Sequence, residues 1–111
     1  MSIWFAVSDL DSRTAFYEDT FGFEEVYRDD EGRWVRLVRD GVEVELAEEE
    51  QGAGETDLVL MLEVDDVKAE AQRLRAAGVQ VGTVVEIPST IRLLDVFDPD
   101  GNRIQLTQDL A

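Results

Sequence analysis

Glu45 and Gln105 carry oxygen donors at matching places in two hairpin-like stretches 60 residues apart. Val44-Glu45-Leu46 follows Asp40-Gly41, and Ile104-Gln105-Leu106 follows Asp100-Gly101. A carboxylate and a carboxamide hold a hard cation such as Mg²⁺ only weakly unless water or substrate completes the shell. The same two groups can orient a small organic ligand through hydrogen bonds. The chain has no histidine and no cysteine. It therefore lacks the commonest metal ligand, the usual general base near neutral pH, and any thiolate or disulfide chemistry. Nucleophilic triads are excluded with them, and no Gly-rich phosphate-cradling loop is present.

Strand alternation puts Glu43 and Glu45 on one face and Val42, Val44 and Leu46 on the other, with Arg103 and Gln105 likewise opposite Ile104 and Leu106. The apolar faces should pack on helices. Trp4 and Ala6 from a first strand and Met61 from a fifth should join the polar face, giving an aromatic and aliphatic wall with a few polar groups, which suits a small organic ligand. A two-residue turn at Asp40-Gly41 sets Arg36 opposite Glu45, whereas a bulged turn slips the register by one and substitutes Val35. The candidate ligand-binding residues are thus Glu45, Gln105, Arg36, Trp4, Met61 and Glu43. Plainer roles compete: Glu43 and Glu45 as solvated carboxylates of a very acidic protein, and Trp4 and Trp34 as core or dimer-interface residues. Asp98, Asp100 and Gly101 lack the remainder of a calcium-loop pattern, so turn chemistry explains them.

The elements that must position these residues come in two rounds. Ile3, Phe5 and Val7 share the face of a first strand, and Asp9 or Asp11 caps a helix through about Thr20 that ends at Gly22. Phe23 to Arg28 reads as a strand, Asp30-Glu31-Gly32 as a turn, and Trp34 to Leu46 as a hairpin. Residues 49–56 are polar, Gly-containing and aperiodic, and read as a linker. Leu58, Leu60, Leu62 and Val64 then alternate along a strand. Asp65 or Asp66 caps a helix burying Val67, Ala71 and Leu74, and Gly78 ends it. Val79 to Ile87 and Ile91 to Phe97 supply strands on either side of Pro88-Ser89-Thr90, and the Phe97 to Leu106 hairpin closes the round. Pro99 suits an early turn position and Gly101 the positive φ after it. Val7-x-Asp9 repeats as Val64-x-Asp66 at a spacing of 57, close to the 60 between hairpins, which points to a duplicated βαβββ unit.

Ala6-Val7-Ser8-Asp9-Leu10, Phe16-Tyr17-Glu18, Phe21-Gly22-Phe23, Ala76-Ala77-Gly78-Val79 and Phe97-Asp98-Pro99-Asp100-Gly101-Asn102, in that order, resemble the vicinal oxygen chelate superfamily of glyoxalases, bleomycin-resistance proteins and dioxygenases. The resemblance covers essentially the whole chain. It implies an α+β fold of two βαβββ modules, residues 1–48 and 57–111, forming an open curved barrel around a ligand cavity within a single domain, commonly as a homodimer. The four positions that ligate a cation in metal-using members fall here at Ser2, Glu45, Val59 and Gln105. Ser2 and Val59 are not competent ligands, so the resemblance implies a cofactor-free, glyoxalase-like or bleomycin-resistance-like protein that binds a small organic ligand, cationic or hydroxyl-bearing, between its modules. The alternative is a divalent-metal-assisted lyase, isomerase or dioxygenase-like enzyme with Glu45 as ligand or base.

A chain of 111 residues with 44% apolar content can build one compact core. No apolar run reaches membrane-spanning length and Met1-Ser2-Ile3-Trp4 does not open a signal peptide, so a cytoplasmic location is expected. Twenty-six acidic residues against ten basic ones, Lys68 being the only lysine, give a net charge of −16. That charge opposes nucleic acid and anionic membranes, and it fits a halophilic, salty cytosol, where at about 1 M salt the screening length falls to roughly 3 Å. The melting temperature should accordingly rise with KCl into the molar range. A midpoint that stays flat or falls with salt would make the acidic surface a docking site for a cationic partner instead.

Overall fold

The computed structural model describes residues 3–49 and 57–111. The expected linker, apart from Glu49 at one end, lies outside the described residues, as does Ser2. The chain divides into two compact units, one holding the described residues up to Leu58 together with Pro99–Asn102, the other Val59–Asp98 and Arg103–Ala111.

The first unit runs β1 (Ile3–Val7), α1 (Leu10–Phe21), β2 (Glu24–Arg28), β3 (Trp34–Arg39) and β4 (Val42–Glu48). Its sheet has the order β1-β4-β3-β2, with β1 parallel to β4 and the other pairs antiparallel. Helix α1 starts at Asp9, whose carboxylate accepts from the Ser12 N–H at 3.2 Å. It stops at Gly22, whose φ of 74° lets the Gly22 and Phe23 N–H groups turn back onto Glu18 and Tyr17 carbonyls. Leu10, Thr14, Tyr17 and Phe21 form its buried stripe. They pack on the apolar sheet face of Phe5, Val7, Val35, Leu37, Val44 and Leu46, all within 1% of full burial.

The second unit runs β5 (Val59–Glu63), α2 (Val67–Ala76), β6 (Gln80–Val81), β7 (Val85–Ile87), β8 (Ile91–Phe97) and β9 (Arg103–Asp109). Its sheet has the order β5-β9-β8-β6, and β7 also pairs with β8. Asp66 caps α2 by accepting from the Ala69 N–H at 3.1 Å. Val67, Ala71 and Leu74 are buried as the periodicity predicts. Arg73 and Arg75 stand in the last turn, where cations favour the helix dipole.

The strand expected over Val79 to Ile87 is interrupted. Val81 pairs with Val96, but Val85 pairs with Leu93, so one extra residue is inserted between them. Such a bulge bends an edge strand away from further pairing. β2 carries a bulge of the same size between Glu25 and Tyr27. Across the pair, Arg92 of β8 donates from Nε and Nη2 to Glu86 Oε1 of β7 at 2.8 and 2.6 Å, and that bond holds the Glu86 carboxyl below its usual range.

Two turns carry most of the local geometry. Asp40 and Gly41 both have positive φ, 48° and 80°, the mirror-image two-residue turn whose twist matches a hairpin. The turn before β9 closes with Gly101 at φ 88°, and its Pro99–Asn102 segment belongs with the first unit. Asp100 accepts from Arg13 Nε at 2.6 Å and from the Ser8 N–H at 3.2 Å, and Asn102 Nδ2 donates to the Ala6 carbonyl at 3.0 Å.

Asp29 sets the connection between β2 and β3. Its Oδ1 accepts from the Arg33 and Trp34 N–H groups at 2.7 and 2.9 Å, while its own N–H donates to the Trp34 carbonyl. These amides, Trp34's foremost, hold the Asp29 carboxyl below the usual carboxylate range against a smaller opposing desolvation. A lowered folded-state pKa gives stability that is complete above the unfolded value of about 3.9 and is lost as the pH falls through the folded one. The stability gap between the wild type and Asp29→Asn should therefore be full at pH 6 and shrink below about pH 4. Denaturant titrations at both pH values measure it, and a gap independent of pH would remove the carboxylate from this role.

Candidate ligand-binding site

The exposed face of the first sheet assembles a row across all four strands. Trp4 on β1 pairs with Glu45 on β4, Glu45 with Arg36 on β3, and Arg36 with Tyr27 on β2. Residues directly opposite in a sheet share a face, with strands about 4.8 Å apart, so these four side chains stand side by side. The two-residue turn at Asp40-Gly41 supplies the register that brings Arg36 rather than Val35 to Glu45. The β2 bulge supplies the last member: with unbroken pairing from Glu24 and Glu25, Val26 would face Arg36 instead of Tyr27.

Within the row, Arg36 donates from Nε and Nη2 to the same oxygen, Glu45 Oε1, at 3.2 and 3.1 Å. Its guanidinium also lies over the Trp34 ring, 5.7 Å from the centroid, a cation–π arrangement that restrains the side chain. Trp34 in turn packs on Tyr27, with ring centroids 4.9 Å apart and planes inclined by 38°. Trp4 and Tyr27 remain 52% and 46% exposed. Trp4 is thus not a core residue of this chain.

Glu43 is exposed, faces Val38 across the pair, and makes no bond among the described residues, as a solvated carboxylate would. The second unit carries the equivalent row Met61–Gln105–Asp95. Met61 is 56% exposed. Gln105 Nε2 donates to Asp95 Oδ1 at 3.2 Å, and Arg103 Nε lies 3.0 Å from the same oxygen without hydrogen-bond alignment. Val59, opposite Arg103, is a half-buried aliphatic residue. Among the described residues no three His, Cys, Asp or Glu side chains are grouped to hold a metal ion, and no helix is long and apolar enough to cross a membrane.

Sequence reasoning had singled out Trp4, Glu45 and Arg36, which the first sheet brings together, and Met61 and Gln105, which the second does. It missed Tyr27, Trp34 as a support for Arg36, and Asp95 as the partner of Gln105. The 60-residue offset of the repeat sets Arg36 against Val96; Asp95 comes opposite Gln105 because five residues separate Phe97 from Arg103 where two separate Arg39 from Val42.

Solved structures share this architecture. The fosfomycin resistance protein FosX from Listeria monocytogenes, solved with Mn(II) and sulfate, is 20% identical over 98% of this chain and 88% of its own, with a TM-score of 0.81. An integron cassette protein from the mobile metagenome of a Halifax Harbour sewage outfall is 23% identical over 97% of both chains, with a TM-score of 0.81. Lactoylglutathione lyase from Agrobacterium tumefaciens is 21% identical over 97% and 92%, with a TM-score of 0.78. At these identities the likeness is one of fold. No curated protein sequence matches the chain. Its residues 2–106 match the family described as Glyoxalase/Bleomycin resistance protein/Dioxygenase superfamily. The chain belongs to that superfamily, with the α+β fold of two βαβββ modules that its repeats foretold.

Proposed function

We propose that this protein binds a small organic ligand against the Trp4–Glu45–Arg36–Tyr27 row and does so without a resident metal ion. The observation that carries the proposal is the state of Glu45. Where metal-using relatives would present a ligand, its carboxylate accepts two hydrogen bonds from Arg36 through one oxygen. Of the other three positions that the family resemblance assigns to the cation, Val59 has no donor atom, Gln105 retains only its carbonyl oxygen while its Nε2 donates to Asp95, and Ser2 lies outside the described residues. A catalytic cation needs about three protein ligands and an open place, and this donor set does not fit one.

The guanidinium also cancels the Glu45 charge locally. The face therefore suits a hydroxyl-bearing or otherwise neutral ligand better than a cationic one, with Trp4 and Tyr27 supplying apolar area. Sequestration of such a ligand, as in the bleomycin-resistance branch, needs no further chemistry.

Calorimetric titration of the purified protein with Ni²⁺, Zn²⁺, Fe²⁺ and Mn²⁺ should show no stoichiometric site, and Glu45→Ala should abolish none. Tight binding of one ion per chain that requires both Glu45 and Gln105 would overturn the proposal in favour of a metal-assisted lyase, isomerase or dioxygenase-like enzyme.

A further inference from the structure

We infer that Asp40-Gly41 is a self-modification site: its peptide bond converts without an enzyme to an isoaspartyl linkage, and the conversion takes apart the pairing that sets Arg36 opposite Glu45. The inference is independent of what the exposed face binds.

The chain holds two Asp-Gly sequences, Asp40-Gly41 and Asp100-Gly101. Both close hairpins, with glycine at positive φ of 80° and 88°. In such a sequence the glycine nitrogen can attack the carboxyl carbon of the aspartic acid. An N–Cγ bond forms, the amide hydrogen and the carboxyl O–H leave as water, and a succinimide ring results. Water then adds to either ring carbonyl. Addition at Cγ restores aspartate, whereas addition at the main-chain carbonyl breaks the original peptide bond and leaves the chain running through Cβ and Cγ. The sum is an isomerisation, with no change of mass or oxidation state.

The structure separates the two sites by what holds their carboxylates. Asp100 is held at both oxygens: Oδ2 accepts from Arg13 Nε at 2.6 Å and Oδ1 from the Ser8 N–H at 3.2 Å, and its side chain is only 7% exposed. The Asp40 side chain is 91% exposed, and its ion-pair contact with Arg39 Nε, at 3.9 Å, is too long for a hydrogen bond. Ring closure requires rotation about the Cα–C and Cα–Cβ bonds of Asp40. Asp40 and Gly41 are both exposed at the hairpin tip, so no packing opposes that rotation. Asp40 also stands at φ 48°, a region in which an L residue is strained, and leaving it releases the strain.

The consequence follows from the register. An isoaspartyl linkage puts one more atom into the main chain of a two-residue turn, which then no longer closes with Arg39 opposite Val42. Arg36 loses its place opposite Glu45 with it. Both tryptophans of the chain, Trp4 and Trp34, lie in this sheet, so tryptophan emission reports on the change.

The test incubates the whole protein in mildly acidic buffer with KCl, and in parallel unfolded in guanidinium chloride, and maps isoaspartate by digestion and fragment-ion mass spectrometry. In the folded protein it should accumulate at Asp40 about tenfold or more faster than at Asp100, whose carboxylate is tied by a charge-assisted bond. In guanidinium chloride the two rates should converge. Arg13→Met should speed the reaction at Asp100 in the folded protein and leave that at Asp40 unchanged. The fraction modified at Asp40, separated by chromatography, should show shifted tryptophan emission and a lower melting temperature than unreacted protein. Equal or faster reaction at Asp100 in the folded wild type, or no isoaspartate at Asp40 while the unfolded chain forms it, overturns the modification site. A modified fraction with unaltered emission and melt overturns its link to the register.

Discussion

The register between β3 and β4 governs everything on the exposed face of the first sheet, and a two-residue turn sets it. Asp40 and Gly41 hold positive φ in succession, which closes the hairpin with Arg39 opposite Val42 and, three pairs further, Arg36 opposite Glu45. Side chains alternate with a period of two, so a slip of one residue would bury the polar set and expose the apolar one. The same register seats Val35, Leu37, Val44 and Leu46 under α1. Core and candidate site are therefore two faces of one pairing, and neither can be moved without the other.

Energetically the faces are unequal. The buried aliphatic and aromatic side chains of each unit supply most of the stability, at about 25 cal/mol for each Å² of apolar surface removed from water. A partly exposed ion pair such as Arg36–Glu45 contributes on the order of 0.2–1 kcal/mol. The pair does not hold the sheet together; the sheet holds the pair. This is the arrangement expected of a recognition device, whose groups are fixed before a ligand arrives and lose little entropy when it does. On one edge of each sheet an inserted residue, in β2 and between β6 and β7, interrupts the regular ladder.

Much of this was legible because it is local. Asp9 and Asp66 before helical periodicities, Gly22 and Gly78 after them, and the repeated Asp-Gly turns each announce a short-range conformation, and their equal spacing announces the duplication. Arg36 opposite Glu45 followed once a two-residue turn was assumed. What could not be read depends on contacts distant in sequence or on a single inserted residue. The bulge at Val26 moves Tyr27 to Arg36's side, and the insertion after Gly82 splits one expected strand into β6 and β7. The bonds of Asp100 to Ser8 and Asn102 to Ala6 join residues more than 90 positions apart, which no turn motif foretells. Trp4 was ambiguous between core and surface because an aromatic residue on an edge strand suits either.

The mutual hold of Arg36 and Glu45 is the claim on which the functional reading rests, and a double-mutant cycle isolates it. Arg36→Met, Glu45→Met and the double variant, unfolded with denaturant at the lowest salt that keeps all four proteins folded, give the coupling free of each residue's effect on overall repulsion. A favourable coupling of about 0.2–1 kcal/mol that shrinks as KCl is added is the expected result. A coupling of zero, or one that is unfavourable, would mean that Glu45 stands free of Arg36 and is available as the anionic group that the metal-assisted reading requires.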